Sequence, residues 1–65
     1  MDTTKINNLA MEQAILADAN ETDMDAETAA RINAASLHTE PERRQFKHDF
    51  NRHVRNIAEG NPFYK

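Results

Sequence analysis

The sequence predicts a small all-α domain of three helices, over residues about 4–20, 22–37 and 40–59, packed on the C-terminal helix. Three observations predict it. Thr39-Glu40-Pro41-Glu42 and Thr22-Asp23-Met24-Asp25 both have the form of a capping box. Apolar residues recur at helical spacing in three segments. The single glycine, Gly60, and the two prolines, Pro41 and Pro62, stand at segment ends, where they punctuate helices without interrupting them. Short joints between the segments favour antiparallel neighbours, and residues 1–65 make one domain with residues 61–65 as an aromatic tail.

For the first helix, Thr3 or Thr4 is the expected cap. Ile6, Leu9, Ala10, Gln13, Leu16 and Ala17 then share one face, and the pattern runs to about Asn20. Met11, Ala14 and Ile15 form a second, smaller apolar patch on the other side. A helix apolar on two sides is usually covered on two sides. Met11 and Ile15 are therefore candidate anchors for self-association or for a partner, the plain alternative being tolerated exposure of a few apolar groups.

Residues 20–24 carry the next break, and the second helix is expected to start on the Thr22 box. Its apolar face is Ala26, Ala30, Ala34 and Leu37, flanked by Ala29 and Ile32. Alanine brings helix propensity and close approach but little hydrophobic gain, so this helix reads as a spacer packed against the bulkier third one. His38 lies in the joint.

The third segment is the most strongly signalled. The Thr39 hydroxyl and the Glu42 carboxylate can satisfy each other's neighbouring amides, and Pro41 is harmless in a first turn. Glu40 and Glu42 complement the helix dipole, while Gly60 supplies a left-handed C′ residue and Pro62 prevents continuation. Phe46, Phe50, Val54 and Ile57 recur at i, i+4, i+8 and i+11 and mark the expected core face. Arg44, His48, Arg52 and Arg55 fall on a second stripe roughly opposite, with Arg43 and Lys47 flanking the apolar one, their stems across the core edge. Between residues 43 and 55 five Arg or Lys stand against one acid, Asp49.

Charge is polarised along the chain. Residues 1–38 carry −5 and residues 39–65 carry +2, within a total of −3. Some of this is local helix chemistry, since acids gather at the start of the second helix and Arg52 and Arg55 near the end of the third. Arg43 and Arg44 sit in a first turn, where a cation is mildly unfavourable, so the dipole does not explain them.

The composition excludes several classes. With 65 residues the core is thin, and a partner or a second copy would help to stabilise it. No cysteine is present, so disulfides and thiolate sites are excluded and a cytoplasmic setting is the default. No segment has the length of apolar sequence that spans a bilayer, and residues 1–20 lack the pattern of a signal peptide. No residue stands in a catalytic context, so no enzyme activity and no cofactor are expected. His48 and His53 are five apart and point to different faces, which does not suit a helical metal pair, and no glycine-rich phosphate loop occurs.

The expected function is a non-enzymatic interaction module, an adaptor, inhibitor or regulatory subunit docking on a larger protein. Its candidate surfaces are the basic face (Arg44, His48, Arg52, Arg55, Arg43, Lys47) and the apolar anchors Met11, Ile15, Phe63 and Tyr64. Aromatics in the tail either fold back on the core or anchor a partner. The basic stripe is otherwise a solvated face helped by an Arg55–Glu59 pair, or the recognition surface of a dimeric nucleic-acid-binding regulator. The joint at residues 38–41 lacks glycine, and the net acidity does not suit nucleic acid. A small structural subunit of a larger assembly is a third class.

Overall fold

Two phenylalanines and a set of alanines determine the architecture. The computed structural model describes residues 2–64, so Lys65, the last residue of the expected tail, lies outside the described residues. The chain is an all-α domain of three helices, α1 (Thr3–Ala19), α2 (Ala26–Ile32) and α3 (Glu40–Ala58), followed by a single 3₁₀ turn, Pro62–Tyr64. α1 packs along α3, and α2 covers a shorter stretch of it. The radius of gyration is 11.1 Å, close to the value of about 11 Å expected for this length.

Phe46 and Phe50 are fully buried, with ring centroids 6.1 Å apart. The faces turned toward them are mostly alanine: Ala10 and Ala14 with Ile6 from α1, Ala29 and Ala30 from α2, and Leu37 from the joint. Small residues allow backbones to approach while the large rings fill the space between them. This preference corrects the expected face of α1. Ala14, assigned to the second patch, is core, whereas Leu16 is exposed and Leu9 and Gln13 are only partly buried.

The core stripe of α3 is likewise rotated. Phe46 and Phe50 are where expected, but Val54 is 41% exposed and Ile57 only partly buried, while Asp49 and His53 are buried at 2% and 5% exposure. α1 lies on the side of α3 that carries Asp49 and His53, and polar contacts across that side replace apolar ones.

Helix ends follow local chemistry, with three corrections. α1 is capped by Asp2, whose Oδ1 accepts from the Thr4 amide at 2.8 Å, so neither threonine is the cap. A carboxylate accepts that amide and also complements the helix dipole. α2 is capped by Asp25, which accepts from the Thr28 amide at 2.7 Å. Residues 22–25 are therefore loop, and the expected Thr22 box does not form. α2 also ends early, at Ile32. Asn33 turns its Nδ2 back to the Ala29 carbonyl at 3.0 Å and the chain passes into turns over residues 33–36. An Asn that bonds local backbone competes with helix continuation. In consequence Ala34 and Ile32 are exposed, and only Leu37 of the expected distal face is buried. α3 keeps its expected start, the Glu42 carboxylate accepting from the Thr39 amide at 3.1 Å and its hydroxyl at 2.9 Å.

The two long helices end in the same way. After α3, Gly60 (φ 77°) is followed by Asn61, whose amide donates to the Asn56 carbonyl, while the Gly60 amide donates to Ile57. After α1, Glu21 (φ 53°) takes the glycine's place, with the Thr22 amide donating to Ala17 and its own to Asp18. Both are Schellman stops, but only one has the residue that suits the left-handed position.

Two predictions follow from these features. Phe50→Ala should cost about 3–5 kcal/mol, whereas Val54→Ala should cost under about 1 kcal/mol because much of that side chain is already in water, both read by urea denaturation. A β-carbon on Gly60 would meet nothing within 4 Å, so Gly60→Ala should lose about 1 kcal/mol of conformational origin alone, and Glu21→Gly should gain a similar amount.

Candidate interaction site

On one side of α3 the i, i+3, i+4 spacing of Asp49, Arg52 and His53 aligns three polar side chains along the seam with α1. Asn7, on the adjoining turn of α1, meets Arg52 and His53. Its Oδ1 accepts from Arg52 at 2.6 Å and lies 2.9 Å from His53 Nε2. Asp49 accepts from Gln45 at 2.7 Å and has Arg52 at 3.7 Å and His48 at 3.4 Å. No buried side-chain polar atom lacks a partner among the described residues. The seam thus satisfies the requirement for placing a carboxylate and an imidazole in the interior.

The seam also holds the tail. His53 Nδ1 is hydrogen-bonded to the Tyr64 hydroxyl, with the rings edge-on at 5.6 Å, and Asn56 Nδ2 reaches the same hydroxyl at 3.5 Å. The turn is fixed from the other end by Asn61, whose Oδ1 accepts from the Phe63 amide at 3.0 Å. Tyr64 and Ile15 line one cleft, together with Asp18, Ile57 and Asn61. Phe63 packs edge-on against Tyr64 at 5.1 Å and is 70% exposed. Of the four apolar anchor candidates, the structure therefore gathers Ile15, Phe63 and Tyr64, and Met11 lies partly buried one turn before Ile15 on α1.

Several of the basic candidates are engaged within the chain. Lys47 is paired with Glu27 of α2, Arg43 bonds the Leu37 carbonyl at 3.3 Å with Glu40 at 3.5 Å, and Arg52 is held by Asn7. His48 is largely exposed beside Asp49. Arg44 and Arg55 are exposed and form no ion pair among the described residues, so the expected Arg55–Glu59 bridge is not made. The bond from Lys47 holds the Glu27 carboxyl below its usual range, and the Thr28 amide does the same for Asp25. Both therefore support the fold at neutral pH and lose that contribution as pH falls through the carboxylate range.

Asn7, Asp49 and His53 were not among the candidates read from sequence. Asp49 and His53 do fall at core spacing relative to Phe46 and Phe50, but a polar residue there is ordinarily read as surface. Asn7 had no signal at all, because its role depends on how α1 lies against α3. Among the described residues no group of three or more His, Cys, Asp or Glu could hold a metal ion. Compared with known proteins, the chain matches no family model, no curated protein and no solved structure.

Removing Asp49 strands the groups that face it. Asp49→Ala should lower stability by about 1–3 kcal/mol, and Asp49→Asn, which keeps an acceptor for Gln45, should cost distinctly less in the same urea titration.

Proposed function

We propose that the chain is a non-enzymatic protein–protein interaction module, an adaptor, inhibitor or regulatory subunit that docks on a larger protein. Its docking surface is the apolar face of Met11, Ile15, Phe63 and Tyr64. The observation that carries this reading is Phe63, a large aromatic left 70% exposed on a turn that is tied down at both ends. An aromatic held rigid before binding loses little conformational entropy when it is buried, which is what an interface anchor requires. Arg44 and Arg55, exposed elsewhere on α3, act on association rate more than on affinity.

A nucleic-acid interface on α3 has less support, because Arg43, Lys47 and Arg52 are each held by partners within the chain. Among the described residues no helix is long and apolar enough to cross a membrane, and the sequence has no cysteine. A cytoplasmic setting fits both facts.

The test compares tagged wild type with an Ile15→Gln, Phe63→Ala double variant at pH 7.5, with far-UV circular dichroism to show that helicity is kept. The wild type should retain a protein from a host extract, and the variant should retain at least tenfold less of it, a loss of about 1.4 kcal/mol or more. Equal retention overturns the docking surface. Tight binding of the purified chain to duplex DNA or RNA, falling steeply with salt and lost in Arg44→Glu, Arg55→Glu, overturns the function.

A further inference from the structure

The hydrogen-bond roles in the seam are fixed in sequence, each by the one before it. The Arg52 guanidinium has only protons to offer, so the Asn7 atom it meets is the amide oxygen. That oxygen only accepts, so His53 Nε2 carries a proton. In a neutral ring Nδ1 is then a lone pair, and the Tyr64 hydroxyl donates to it. The tail is held by an acceptor that exists only while His53 is neutral.

From this we propose that the Pro62–Tyr64 turn is a pH-operated latch. Neutral His53 holds Tyr64, and with it Phe63, on the α1–α3 surface, and protonation of His53 releases the turn. The latch is a property of the free chain; that release disables docking rests on the function proposed above.

Protonation puts a proton on Nδ1 facing the Tyr64 hydroxyl, which must then switch from donor to acceptor, so release is driven by the charge on the buried ring and not by loss of a partner. It also puts positive charge on a ring that is 5% exposed, with the Arg52 guanidinium 3.5 Å from Nε2. The titratable and charged groups at the ring are Arg52 and Asp49 from α3 and Tyr64 from the turn, and the α1 group that meets it is the neutral Asn7. Burial first, and Arg52 second, hold the His53 pKa below the ordinary value, with Asp49 opposing them. Opening the turn returns Nδ1 to water. The three-residue turn is the smallest unit that can open to do so, and local openings of this size cost far less than global unfolding. The sign follows by linkage. The latched state has the lower pKa, so it is fully populated above the ordinary histidine value of about 6.5 and declines as pH falls below it.

Tyr64 is the only tyrosine and there is no tryptophan, so tyrosine emission and the tyrosine ring resonances report the turn directly. The full chain is titrated from pH 8 to 5 with far-UV circular dichroism in parallel. The tyrosine signals should move with one midpoint below about 6.5 while helicity stays constant. The midpoint should vanish in His53→Gln and persist in His38→Gln, His48→Gln. A second measurement stands if His53→Gln fails to fold: in Tyr64→Phe the His53 ring resonance should titrate closer to the ordinary value than in wild type. Flat tyrosine signals, a midpoint that survives His53→Gln, an unshifted His53 titration in Tyr64→Phe, or a change that tracks loss of helix would each overturn the latch. None of these measurements involves a partner, so the latch and the docking surface fail separately.

Discussion

The packing of Phe46 and Phe50 against alanine is the contact on which the rest of the structure depends. Two rings supply much of the large apolar volume in the centre, and they fit because Ala10 and Ala14 on one side and Ala29 and Ala30 on the other bring α1 and α2 close to α3. Both neighbours thereby give up most of their own hydrophobic payload. So thin a core leaves little margin, and it cannot also cover Ile15, Leu16, Ile32, Val54 and Phe63, all of which remain substantially exposed. The exposed apolar groups are the other side of the same constraint: a chain this short encloses too little volume to cover everything it carries.

Sequence reasoning succeeded where the deciding interactions are local. The start of α3 depends on Thr39 and Glu42, its end on Gly60, and its helicity on a period visible within twenty residues. It failed where a competing local bond or a distant element decided the outcome. Asn33 could as well have continued α2 as turned its amide onto Ala29, and Asp25, read only as the far member of the Thr22 box, became the cap itself. The faces of α1 and α3 were each misplaced by the rotation of one helix against the other. Hydrophobicity ranks Leu16 above Ala14 and Val54 above His53, whereas close approach and the polar seam rank them the other way. Of the candidate site, the apolar anchors were legible as types and not as a cluster, because the return of Tyr64 to His53 is a contact across eleven residues that no spacing rule encodes.

The seam raises a question of energetics that bears on function. Asp49 and His53 occupy core positions on the helix that carries both phenylalanines. Where a domain has so few buried large side chains, two apolar residues there would serve stability at least as well, since buried polar groups at best offset their own desolvation. What a polar seam provides in exchange is orientation. Apolar contacts tolerate sliding and rotation; a chain of directional hydrogen bonds does not. Arg52, Asn7, His53 and Tyr64 fix the register of α1 on α3 and, through Tyr64, the position of a turn with little packing of its own. Tyr64 is only partly buried and Phe63 hardly at all, so the turn adds little to the core. The chain therefore gives up apolar volume in its centre to hold an exposed aromatic at its surface, which is an unrewarding arrangement for stability and a suitable one for recognition.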